Sequence, residues 1–187
     1  MNNAETQSEG NINVRENVTN TGKVLSEKEV NVKGNTDNSG TLYGKNNINL
    51  EKNLNNSGSL QTTGDISVKE VVNTGKLTAE GNISTDKLDN SGDVVTNKKL
   101  ESKSIDNKSA GKISAQDGIS VSEDVKNRGQ VNTNGDFLIR GNLENYNAVN
   151  VGGLLTAKDL TNTGALKVSE KIVTRGITFT NSGEILT

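Results

Sequence analysis

Histidine, cysteine, proline and tryptophan are all absent from the 187 residues. Without histidine the chain lacks the commonest general base near neutral pH and the commonest metal ligand. Without cysteine it has no disulfide, thiolate chemistry or cysteine-based metal site, and its redox compartment stays open. Aromatic residues make up 2% and hydrophobic residues 29% of the chain. That is too little for a broad two-layer core. The apolar runs all fall far short of the ~18 residues that a transmembrane helix would need. Lysine and arginine (21) are nearly balanced by aspartate and glutamate (23), for a net charge of -2. The two signs are interspersed along the chain. No basic stripe is visible, and nucleic acid is not an expected partner.

What is present is a repeat. The phrase Asn-Ser/Thr-Gly-x-aliphatic, as in Asn73-Thr74-Gly75-Lys76-Leu77, recurs from one end of the chain to the other. Its asparagines are Asn20, Asn38, Asn56, Asn73, Asn90, Asn107, Asn127, Asn145, Asn162 and Asn181, with intervals of 17 to 20 residues. Glycine follows at Gly22, Gly40, Gly58, Gly75, Gly92, Gly129, Gly164 and Gly183, and Asn147 takes the glycine place in its own copy. Two residues further lies an aliphatic column, Val24, Leu42, Leu60, Leu77, Val94, Ile113, Val131, Val149, Leu166 and Ile185. A second apolar column lies two residues before the asparagine, and alternating pairs such as Ile66 and Val68 lie between the two. Alternation points to strands with one buried face.

A period this short leaves no room for a crossover helix. Copies must therefore stack strand on strand, and the chain is predicted to be all-β, a right-handed parallel β-helix of about ten coils. The absence of proline fits, because every strand in such a stack lends its N–H groups to a ladder. One repeat domain is expected over residues 11–187, an internal piece of a longer protein, with 1–10 a polar leader compatible with disorder. The asparagines are expected to stack as a hydrogen-bonded ladder. Each following glycine is expected in the left-handed conformation of a turn.

Candidate contact residues are few. The array is least regular at 107–111, where two residues are inserted, and at 145–153. Arg128 and Tyr146 in this region form a candidate contact patch, with drift of the repeat as the plainer explanation. An enzyme on a β-helix would need long loops and clustered carboxylates with basic partners. Here the connections are short, and Asp65, Glu80, Asp86, Asp117 and Asp136 show no paired spacing. No catalytic residue, metal ligand or cofactor is expected. The calcium-binding nonapeptide pattern is also absent.

The phrase Asn-Ser/Thr-Gly-x-Leu-x-x-x-Gly-Asn/Asp-Ile, seen from Asn56 to Val68 and from Asn73 to Thr85, resembles the repeats of filamentous haemagglutinin-type exoproteins. That resemblance implies a shaft segment of a secreted bacterial adhesin or toxin-delivery protein at the cell surface. It would be exported through an outer-membrane barrel and would meet a receptor on a host cell or a neighbouring bacterium. End-to-end self-association is a further expectation. An alternative resemblance is to bactofilins, cytoplasmic β-helices that polymerise. A polysaccharide-active β-helix enzyme is a second alternative.

Overall fold

The computed structural model describes all 187 residues, as 27 strands and no helix. Every strand pairing is parallel, and each strand pairs with its counterpart one coil away, as Lys76–Ala79 does with Ser59–Thr62 on one side and Asp93–Thr96 on the other. The fold is a parallel β-solenoid of about ten coils.

Each coil carries three strand segments. The first follows the glycine, and these segments form an 11-stranded sheet from Glu5–Ser8 to Glu184–Leu186. A middle segment and the segment ending on the asparagine together form a 16-stranded sheet. In four central coils those two run together as single strands, Ile48–Asn56, Ile66–Asn73, Ile83–Asn90 and Lys99–Asn107. Elsewhere a corner of two or more residues separates them.

The core is one cluster of 34 buried residues running the length of the rod. Alternate residues of each strand point inward, so the apolar columns of the sequence become continuous rows. Leu42, Leu60, Leu77, Val94, Ile113, Val131, Val149 and Leu166 are almost wholly buried, Val24 is buried, and Ile185 is half-buried. Few aliphatics suffice because each row is only one side chain deep, yet is covered above and below by its neighbours.

A further inward column lies two residues after the aliphatic one and is made of small residues, among them Ser26, Gly44, Thr62, Ala79, Thr96 and Ala115. Its hydroxyls serve the adjoining corner. Ser26 Oγ donates to the Gly10 and Glu29 carbonyls, and Thr62 Oγ1 and Thr96 Oγ1 accept from the Gly64 and Lys98 amides at 3.0 Å.

Residues 1–10, expected as a polar leader, carry the strand Glu5–Ser8, which pairs with Lys23–Ser26. Asn2 bridges to Asn20. The stretch hides its place in the array because Ala4 stands where glycine is usual and Thr6 where the aliphatic is usual, paired with Val24.

Candidate functional site

The asparagine column is an unbroken chain of side-chain amides. Asn20 Nδ2 donates to Asn38 Oδ1 at 2.8 Å, Asn38 to Asn56 at 2.8 Å, Asn56 to Asn73 at 2.8 Å and Asn73 to Asn90 at 2.9 Å. Asn90 continues to Asn107, Asn107 to Asn127, Asn127 to Asn145, Asn145 to Asn162 and Asn162 to Asn181, all between 2.7 and 2.9 Å. Asn2, which the phrase does not mark, begins the series with a 3.0 Å bond to Asn20. Its spacing from Asn20, one full period, was the available signal. Each amide nitrogen also meets main-chain carbonyls, as Asn73 Nδ2 does those of Gly75 and Asp93, both at 3.1 Å. From Asn20 to Asn162 these side chains are buried, whereas Asn181 is exposed. A primary amide is the group that can do this, since it both donates and accepts in one plane.

The turn glycines do not adopt the left-handed conformation expected of them. Gly118 alone has a positive φ, 132°, and it lies outside the repeated phrase. The requirement for glycine is steric instead. A Cβ on Gly40, Gly58, Gly75, Gly92, Gly129 or Gly183 would fall on the carbonyl oxygen of the glycine one coil before it. On Gly22 and Gly164 it would fall on the carbonyls of Ala4 and Asn147. That close approach lets each coil donate into the last, as Lys76 N does to Gly58 O at 2.8 Å. Where Asn147 occupies the column, the bond from Ala148 N to Gly129 O lengthens to 3.2 Å.

Arg128 and Tyr146 lie in neighbouring coils, each one residue past its asparagine. Each joins its own cluster of charged side chains, the two close enough for Arg128 to act electrostatically on Glu144. Arg128 Nη1 is 2.8 Å from Asp106 Oδ1. Lys108 bridges Asp106 and, at 3.3 Å, Asp89. Lys126 pairs with Glu144 at 3.2 Å and lies 5.5 Å from the Tyr146 ring centre, while the Tyr146 hydroxyl donates to Glu144 at 2.9 Å. That hydroxyl, then Lys126 and Arg128, hold the Glu144 carboxyl below its usual range. Its contribution to stability is therefore present above the ordinary carboxylate pKa and is lost as pH falls through the depressed value. The Asp106 hydrogen bond, with smaller help from Asp89, raises Lys108 against the opposing effect of burial. Three acids meet three bases here. The patch is a self-satisfied clamp over the coils widened by the 107–111 insertion, which closes as a tight turn with Gly111 N bonded to Lys108 O at 2.9 Å.

A shallow longitudinal groove of about 610 Å3 runs along the face of the middle strands. Its floor holds outward residues of the middle strands, Ser67, Ser84, Glu101 and Ser120. Its rim is the residue that follows each middle strand: Glu51, Lys69, Asp86, Lys103, Ser122 and Arg140. A second depression, sharing Glu51, extends the rim to Lys33 and Arg15. Lys158 and Arg175 continue the column at the other end, bonded in register through Arg175 N to Ala157 O. Seven of these ten positions are basic and two acidic. The reading that no basic stripe exists is thereby corrected. Residues one period apart in sequence become neighbours only when coils stack, so interspersion along the chain concealed alignment along the rod. No group of three or more carboxylates converges in a way that could hold a metal ion.

Fold and surface together define a parallel β-solenoid whose distinguishing features are an internal amide ladder and an open charged groove, rather than an enclosed pocket. The chain belongs to the flagellar assembly protein A (FapA) β-solenoid domain family, whose model matches residues 7–128. No curated protein and no solved structure matches it.

Membership in that family overturns the haemagglutinin resemblance. The secreted adhesin or toxin shaft goes with it, as do surface location, host or neighbour receptor and outer-membrane export partner. The physical reason lies in the phrase itself. Asparagine is demanded by the ladder and glycine by the close carbonyl, so Asn-Ser/Thr-Gly at this period reports how a coil stacks and not which lineage built it. The family is one of assembly proteins.

Proposed function

We propose that this chain is a non-enzymatic scaffold working inside the cell in flagellar assembly, a stiff rod that holds partners at fixed separations along its axis. Of the readings open to the sequence, the cytoplasmic β-helix agrees with the family better than the exported shaft. The observation that carries the proposal is the family match over residues 7–128, most of the regular coils. Geometry supports it. A continuous core and an unbroken amide ladder resist bending, and the surface offers recesses too open to exclude water from a reaction.

The test is made in the source cells with the full-length protein. Protease added to intact cells is expected to leave these coils uncut until lysis, and in-frame removal of the solenoid is expected to lower the number of assembled flagella counted by electron microscopy. Cleavage on intact cells, or undiminished flagella, would overturn the proposal.

A further inference from the structure

The rim of the groove has a period of its own. Lys33, Lys69, Lys103, Arg140 and Arg175 stand on every second coil, separated by 36, 34, 37 and 35 residues. Between them the rim carries Glu51, Asp86, Ser122 and Lys158, with no consistent sign, and Arg15 precedes the series. Strands of successive coils lie about 4.8 Å apart, so the recurring bases stand about 9.6 Å apart along the axis. These five side chains are exposed. Lys103 pairs with Asp86 at 3.0 Å and Arg175 reaches the Ile139 carbonyl at 3.3 Å, whereas Lys33, Lys69 and Arg140 have no ion-pair partner. Beneath Lys69, buried hydroxyls hold the corner backbone: Thr85 Oγ1 donates to the Lys69 and Lys87 carbonyls at 3.1 Å, and Ser102 Oγ to that of Ser104 at 2.8 Å.

A polyproline II chain has three residues per turn and rises about 3.1 Å per residue, so every third side chain returns to one edge after about 9.3 Å. That distance is nearly two coils. We propose that the groove binds an extended acidic peptide segment of a partner protein, in the polyproline II conformation with Asp or Glu at every third residue, lying along the rod axis. The small mismatch per turn is absorbed by the flexible lysine stems. Carboxylates face the recurring bases, and neutral or basic residues face Glu51 and Asp86. The floor, Ser67, Ser84 and Ser120 with Asn31 and Asn49 beyond them, supplies hydroxyls and amides to the peptide carbonyls and N–H groups left free in that conformation. Glu101, the one acid of the floor, must face a neutral or basic residue as Glu51 and Asp86 do. A uniform polyanion would meet Glu51 and Asp86 unfavourably. The groove also has no aromatic side chain, and so nothing on which a nucleic-acid base could stack.

The proposal is tested with the whole chain and a fluorescent peptide of repeated Glu-Pro-Pro long enough to span the groove, by fluorescence anisotropy at low ionic strength. Repeated Glu-Pro of equal charge and oligothymidine serve as comparison probes. The Glu-Pro-Pro peptide is expected to bind more tightly than either. The triple variant Lys69→Glu, Lys103→Glu, Arg140→Glu is expected to weaken it by about tenfold or more, three exposed pairs being lost and reversed. Circular dichroism checks that the variant is folded, and Lys69→Gln, with an expected loss of about twofold, serves if it is not. Absence of binding, equal affinity for the two peptides, unchanged affinity in the variants, or tighter binding of oligothymidine would each overturn the proposal, the last in favour of a nucleic acid.

Discussion

Asn73 sits within the unbroken run of amides. Its amide accepts from Asn56 and donates to Asn90 while meeting two main-chain carbonyls, all in a site with no solvent exposure. Replacing it with alanine removes those bonds and also leaves the Asn56 donor and the Asn90 acceptor partly unsatisfied, each at a cost of about 1 kcal/mol or more. Asn73→Ala is therefore expected to destabilise the solenoid by about 3 kcal/mol in urea denaturation. Because the ladder is continuous, the loss should spread. Hydrogen exchange should show the amides of the coils on either side losing protection before those near Asn145. An equal loss everywhere would mean that the array melts as one unit.

At the scale of the element, the glycine column shows what sequence spacing made legible and what it did not. Period, strand alternation and parallel stacking could all be read from asparagines and aliphatics, because the same chemistry is demanded once per coil. The reason for glycine could not. Its position in the sequence is the same whether it permits a left-handed turn or a close carbonyl, and only the neighbouring coil distinguishes the two. Gly75→Ala checks the steric account. A left-handed glycine would cost the variant backbone strain within its own turn, whereas a Cβ against Gly58 O pushes two coils apart. The variant is expected to lose about 1 to 3 kcal/mol, as overpacking does, and to weaken the Lys76 N to Gly58 O bond, seen as faster exchange of the Lys76 amide. Asn2 and the hydroxyl column of Ser26, Thr62 and Thr96 escaped notice for a related reason. Asn2 is followed by Ala4 and Thr6 instead of the glycine and aliphatic of the phrase, and the hydroxyl column also accepts glycine and alanine, so no single letter repeats there. The groove was the least legible feature of all, because Glu51, Asp86 and Ser122 interrupt the bases of its rim, and the regular series emerges only when two coils are counted as one.

For the whole molecule, stability is a sum over coils and their interfaces, so the array should tolerate loss of complete coils and no other loss. Deleting residues 57–90 removes two periods and joins Asn56 to Ser91-Gly92, restoring the phrase. The product is expected to fold, with a lower melting temperature and a rod shorter by about 10 Å, measurable by small-angle X-ray scattering. It would keep the two-coil alternation of the rim, bringing Lys33 and Lys103 to successive places in the basic series. Deleting half a period should abolish cooperative folding, since every inward side chain beyond the cut would meet the wrong column.

The same amide ladder sets the terms on which such a gene can change. A turn can absorb a residue or two, as the insertion at 107–111 shows with the Asn107 to Asn127 bond intact. A larger gain or loss that is not a whole coil severs the bonded asparagines into two misaligned runs, so the lengths open to the array are separated by gaps. Each survivor differs from its parent by a whole number of steps of about 4.8 Å. Selection on this molecule would thus act on a graduated ruler, whose divisions are cut by hydrogen bonding and whose length can be altered only one mark at a time.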